Sequence, residues 1–169
     1  MKKTIAITCG DINGIGPEIS LKAIQKINNR NINFIFLCPN NVYEHYKKST
    51  NFTENLIPVQ DINNLDTNHN YLFVLPETKM DFGKITKESG IISFLAIEES
   101  IKLFKNKKIN AVVTSPICKE AIKLAGFDFP GHTEIYANSE NNNKYTMTFI
   151  SPKLKAALTT IHIPLKDVP

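Results

Sequence analysis

Arginine is almost missing from this sequence: Arg30 stands alone beside 19 lysines, and the 16 acidic residues are spread along the whole length, leaving a formal net charge of +4. Nucleic-acid readers lean on clustered arginine and on aromatic stacking, so this balance excludes that class. The basic spots YKK and KNKK read as solvated helix ends. Cysteine is scarce as well. Cys9, Cys38 and Cys118 lie far apart, with no CxxC and no Cys/His spacing suited to structural zinc, and they read as small buried residues of a reduced cytosolic protein. Long hydrophobic runs are missing too. The apolar stretch behind the N-terminal MKK ends at Asp11 after about six residues, too short for the core of a secretory signal. Nothing approaches the roughly 18 apolar residues of a membrane span. The expectation is a cytoplasmic protein with no membrane partner.

What is present is enough for a core. With 169 residues, 42% of them apolar, the chain can build one sizeable hydrophobic interior, either a compact domain or a piece of a larger one. KKTIAITC reads as a buried strand, PEISLKAIQKIN as a helix with apolar residues four apart, and INFIFLC as a second strand stopped by Pro39. NNVYEHYKK reads as a short helix and NLIPVQDINNLDTNHN as a polar excursion before the strand YLFVL. From Lys87 to Lys105, Ile91, Phe94, Ile97, Ile101 and Phe104 recur at steps of three and four, which predicts a long amphipathic helix with that stripe in the core. The strand AVVT follows, then a helical SPICKEAIKLAG closed by Gly126, a loop FDFPGHTE, and strands YTMTFIS and KLKAALTT. Helices alternating with strands that are apolar throughout predict an α/β fold with a largely parallel sheet covered on both faces.

Three loops leave strands at their C-terminal ends, CGDINGIGPE, TSPICKEA and TIHIPL, and in open α/β sheets ligands bind on that side. The first combines three glycines with Pro17 ahead of a helix. It suits either a purely structural turn or close approach of an anion to a helix N-terminus, although it lacks both the G-x-G-x-x-G and the G-x-x-x-x-G-K-[ST] spacings. In the second, Thr114, Ser115 and Lys119 would make a phosphate cradle, or else an N-cap serine with an exposed lysine. His45 and His69 stand in polar surroundings, whereas His132 in PGHTE and His162 in TIHIP lie at element boundaries where a side chain can face a cleft. Neither has a nearby ligand partner that would hold a metal by itself.

Taken together, GDINGIGPEI, VVTSPICKEAIKLAGFDFPGHTE and FISPKLKAALTTIHIPLKDVP resemble the 4-hydroxythreonine-4-phosphate dehydrogenase family of vitamin B6 biosynthesis. The resemblance runs through the whole chain in order but matches only the first half of the family's usual length. It implies a fold of the isocitrate/isopropylmalate dehydrogenase type, two α/β domains with the active site in their cleft at a homodimer interface. Residues 1–169 would then hold the first domain and the start of the second. His132 and Thr133 match the family's substrate-binding pair, and His162 matches the first of three histidines that bind a divalent metal (Zn, Mg, Co or Mn). Ile12 and Asn13 replace the family's usual Pro-Ala, and Cys118 stands where Asn is common. The implied reaction uses NAD to oxidise 4-phosphohydroxy-L-threonine, a phosphorylated small molecule, to a β-keto acid that loses CO2, the metal stabilising the developing alkoxide and enolate.

Two other readings compete. Phosphate acyltransferases resemble the same superfold and need no metal. A truncated chain that folds and binds little would be non-catalytic. The sequence stops after HIPLKDVP, where a helix would begin, and the expectation is an N-terminal portion of a longer protein whose fragment is inactive alone.

Overall fold

The computed structural model describes residues 2–27, 31–62, 69–128, 131–139, 145–161 and 163–168. The chain divides into two compact units, Met1–His132 and Thr133–Pro169. In the first, β1 (Lys3–Thr8), β2 (Ile32–Pro39), β3 (Leu56–Val59), β4 (Asn70–Leu75) and β5 (Ala111–Val113) form a five-stranded sheet in the order β3-β4-β2-β1-β5, every pairing parallel. Four helices complete the unit: α1 (Gly16–Lys26), α2 (Asn40–Ser49), α3 (Lys87–Lys105) and α4 (Lys119–Leu124). The expected α/β class with a largely parallel sheet is therefore the observed one.

Strand β2, at the centre, is buried along nearly its whole length, as a strand covered on both faces must be. Progress from β1 through α1 to β2, and on past α2, runs one way across the sheet, while α3 returns from β4 to β5. Right-handed crossovers therefore place α3 on the opposite face from α1 and α2. Pro17 sits in the first turn of α1, where its missing N–H costs nothing, and Gly126 follows α4 with a positive φ of 92°, as expected of a helix stop.

Three expectations are corrected. The segment read as a polar excursion contains β3; Pro58 disguises it, and this strand tolerates proline because it lies at the sheet edge. The α3 stripe is displaced. Thr86 caps that helix by accepting from the Ser89 amide at 3.2 Å, and the residues it buries are Ser89, Gly90, Ile92, Ser93, Ala96, Ile97, Ser100 and Leu103. Phe104 is 50% exposed, and Phe94 instead stacks on Phe127 with ring centroids 3.7 Å apart. A seam of small residues lets α3 approach its neighbours more closely than a phenylalanine seam would, and its serines satisfy themselves: Ser93 Oγ donates to the Ser89 carbonyl at 2.8 Å and Ser100 Oγ to that of Ile97 at 2.7 Å. Third, the loop read through GHTE is helical from His132.

The second unit holds α5 from Thr133 onward, α5 spanning His132–Ser139, and an antiparallel hairpin of β6 (Thr148–Ile150) and β7 (Lys155–Ala157). These two strands form their own sheet instead of extending the parallel one. Cys9 and Cys38 are buried as expected, with burial pushing the Cys38 thiol well above its ordinary value, while Cys118 is only half-buried. No helix among the described residues is long and apolar enough to cross a membrane.

A Cβ built on Gly90 would lie 1.9 Å from the carbonyl oxygen of Ala121 and 2.3 Å from its carbon, both backbone atoms that cannot swing aside. Gly90→Ala should therefore separate α3 from α4 and cost about 1–3 kcal/mol or more, the range for overpacking a close-fitted interior. Urea denaturation checks this, and an unchanged midpoint would contradict the close α3–α4 contact.

Candidate functional site

The glycine loop between β1 and α1 is held from four directions. Gly10 has φ 68°, and a Cβ there would meet the Pro116 carbonyl oxygen at 2.3 Å; a Cβ on Gly16 would meet the Cys9 carbonyl oxygen at the same distance. The Asp11 amide donates to the Pro116 carbonyl at 2.9 Å, joining this loop to the one that follows β5. Ser93 Oγ of α3 donates to the Gly10 carbonyl at 2.9 Å, and the Tyr46 hydroxyl of α2 donates to the Gly14 carbonyl at 3.0 Å. The glycines at the base of the loop thus make room for the protein's own backbone, as a structural turn requires. Asn13 extends the clamp: its Oδ1 accepts from the Asp81 amide at 2.8 Å, and its Nδ2 donates to the Lys84 carbonyl at 3.0 Å and to Thr86 Oγ1 at 3.1 Å. Sequence alone marked Asn13 only as a departure from the family pattern. Its role required knowing that residues 81–86 lie beside it.

The loop after β5 is likewise different from both readings of it. Ser115 neither caps α4, whose N-cap is Cys118, nor offers a free hydroxyl to a phosphate. It is buried, its Oγ is 2.6 Å from Ser20 Oγ of α1, and its amide donates to Thr8 Oγ1 at 3.2 Å. The residue ties β1, α1 and the β5 loop together. Lys119, by contrast, opens α4 and is exposed.

Against this frame stands His132. Its Nε2 is closed off from solvent and has no hydrogen-bond partner among the described residues. Burial chiefly, and then the Lys119 ammonium, hold the imidazole below its ordinary value; a hydrogen bond to the Ser115 backbone opposes them. The Ser115 backbone thus lies beside the ring, while Nε2 keeps a hydrogen-bonding capacity that no described residue uses. Structure therefore brings together His132, Lys119 and Ser115, drawn from two motifs. Thr133 follows in the same turn of α5 and is half-buried. His162 lies outside the described residues, so TIHIPL, the third loop, is not placed by its histidine. His45 is exposed as expected and stacks on Phe82 with centroids 4.8 Å apart. Among the described residues no group of three or more His, Cys, Asp or Glu side chains is arranged to hold a metal ion.

Residues 18–169 match the family model described as pyridoxal phosphate biosynthetic protein PdxA. A 4-hydroxythreonine-4-phosphate dehydrogenase of Sulfurihydrogenibium sp. (strain YO3AOP1) is 39% identical over 165 residues, which cover 98% of this chain and 51% of that protein. A D-threonate 4-phosphate dehydrogenase of Salmonella typhimurium is 28% identical over 170 residues, covering 97% of this chain and 52% of that one. Among solved structures, a 4-hydroxythreonine-4-phosphate dehydrogenase from Burkholderia phymatum superposes with a TM-score of 0.87 at 22% identity, over 99% of this chain and 52% of that chain, a likeness of fold. The chain spans about half the length of the curated relatives it matches.

The environment of His132 has a titratable consequence. Its folded pKa lies below the ordinary imidazole value of about 6.5, so the unfolded chain binds the proton more readily. The stability it contributes is fully present above that value and is lost as the pH falls below it toward the folded pKa. Lys119→Gln should raise the His132 pKa while leaving it below the ordinary value, because burial remains. Following the ring Hε1 resonance by NMR through a pH titration checks both points; a pKa indifferent to Lys119→Gln would place the ammonium elsewhere.

Proposed function

The chain belongs to the family of the pyridoxal phosphate biosynthetic protein PdxA, and on that premise we propose that it supplies the His132–Thr133 substrate pair of an NAD-dependent dehydrogenase. The reaction is oxidation of 4-phosphohydroxy-L-threonine to 2-amino-3-oxo-4-phosphooxybutanoate, which decarboxylates to 3-amino-2-oxopropyl phosphate. The observation that carries the reading is the orphaned Nε2 of His132, buried with no partner among the described residues, beside the Lys119 ammonium. With its imidazole neutral, His132 accepts a hydrogen bond from a substrate hydroxyl at Nε2, and Thr133 adds a second polar contact, so that the pair orients the carbon to be oxidised. Lys119 draws the substrate's anionic end toward them. NAD, when bound, supplies the hydride acceptor. His162 is kept as one ligand of the divalent metal, and no step is derived through that ion.

On the same reading, Met1–His132 is the family's first α/β domain and Thr133–Pro169 the beginning of the second, in a cytoplasmic homodimer. All the relatives named above are dehydrogenases, which speaks against the phosphate acyltransferase reading. The match to a D-threonate 4-phosphate dehydrogenase favours a second substrate for the same chemistry, carrying a hydroxyl where hydroxythreonine phosphate carries an amine.

Two measurements test this. Adding 4-phosphohydroxy-L-threonine to the chain should shift the His132 ring resonances, and His132→Ala should weaken binding by about 0.5–1.5 kcal/mol, the range for a hydrogen bond between neutral groups. D-threonate 4-phosphate producing the larger shift at equal concentration would transfer the assignment to the second substrate. Because His162 is the one metal ligand this reading assigns to the chain, residues 1–169 with substrate, NAD and divalent metal should form no NADH by absorbance at the rate of a full-length relative. Comparable turnover would overturn the view that further residues complete the site.

A further inference from the structure

Strands β1 and β2 run in register from Lys3 opposite Ile32 to Thr8 opposite Leu37, and the Cys9 amide prolongs the ladder by donating to the Leu37 carbonyl at 3.1 Å. The next opposed pair is Cys9 and Cys38. In-register residues of neighbouring strands send their side chains to one face, so the two thiols stand side by side where the strands end. Both are free and completely buried, and the Cys9 side chain hydrogen-bonds the Cys38 sulfur. On its other flank Cys38 pairs with Val74 of β4, which brings no further donor. The Tyr43 backbone N–H, in the first turn of α2, also donates to the Cys38 sulfur.

We propose that Cys9 and Cys38 form a two-coordinate site for copper(I), which binds as a dithiolate in exchange for the two thiol protons, with no electron transferred. Three considerations select this ligand. A disulfide needs its Cβ atoms about 3.5–4.5 Å apart, whereas parallel strands in register hold theirs near the strand spacing of about 4.7–4.9 Å, so a bridge would drag the strands together. An ion between two thiolates spreads them instead: with metal–sulfur bonds of about 2.3 Å, the sulfurs of a linear pair lie about 4.6 Å apart, close to that spacing. Zinc takes four ligands, and among the described residues no third His, Cys, Asp or Glu joins the pair; a soft monovalent ion is satisfied by two sulfurs. The bound pair carries one negative charge. The Tyr43 N–H and the positive end of the α2 dipole offset it. Because a Cβ on Gly16 would lie 2.3 Å from the Cys9 carbonyl oxygen, the ion also ties β2 to the root of the glycine loop.

The test is an anaerobic titration of the full chain with copper(I) held as its bicinchoninate complex, whose colour should fall by the equivalent of one ion per chain. Cys9→Ser and Cys38→Val should each cut that uptake to below about a tenth of an equivalent, since a single thiolate cannot hold the ion against the chelator. Cys118 is half-buried, so Cys118→Ser is measured beside them to detect copper bridging two chains, and it should keep the full uptake. X-ray absorption on the loaded natural sequence needs no variant to fold: it should show two sulfur neighbours and no nitrogen or oxygen. A third sulfur or a lighter ligand would overturn the assignment. So would no uptake, uptake indifferent to both Cys9→Ser and Cys38→Val, or a copper-linked dimer that Cys118→Ser dissolves.

Discussion

Backbone lies against backbone in this fold at places where a single methyl group has no room. At Gly10 the first loop touches the carbonyl of Pro116, and at Gly90 helix α3 touches Ala121. These contacts join the strand-end loops of β1 and β5 and set α3 against α4. The site residues inherit their positions from them. Ser115 is fixed from Ser20 and Thr8, and its backbone lies beside the ring of His132. Displacing one backbone contact by an ångström would move the histidine without touching it.

Electrostatics then acts on a geometry already set. A histidine sheltered from water and placed beside an ammonium stays neutral under conditions where an exposed one begins to charge. That leaves an acceptor in reach of a positive field, a combination suited to a ligand carrying both hydroxyl and anionic groups. The glycine loop contributes rigidity, because its curvature is fixed by Pro116, Ser93, Tyr46 and Asn13.

Much of this was legible in the sequence, and the failures have physical causes. The parallel sheet could be read from strands apolar throughout, and the bounds of α3 came out at Lys87 and Lys105 because periodicity survives even when the buried face is misassigned. The face was misassigned because hydropathy rewards large side chains, whereas close packing here selects small ones. Strand β3 was hidden by a proline that only an edge position excuses. Ser115 was recognisable as important but not for its reason, since both readings of it were local and its partners, Ser20 and Thr8, lie 95 and 107 residues away. The pair His132–Thr133 came from resemblance; the orphaned nitrogen and its ammonium neighbour needed coordinates.

The serine seam of α3 bears on how such a sequence can drift. Ser93 and Ser100 each direct a hydroxyl to a carbonyl of their own helix, so bulk is a large part of what the neighbouring surfaces register. At Ser100 valine or threonine, one branch larger, is then a misfit, and glycine would loosen the helix itself. Ser93 is held more narrowly, because its hydroxyl also reaches the Gly10 carbonyl. Homologous chains should therefore look permissive in chemistry and strict in volume along this helix, a pattern that scoring by hydropathy would mistake for a solvent face.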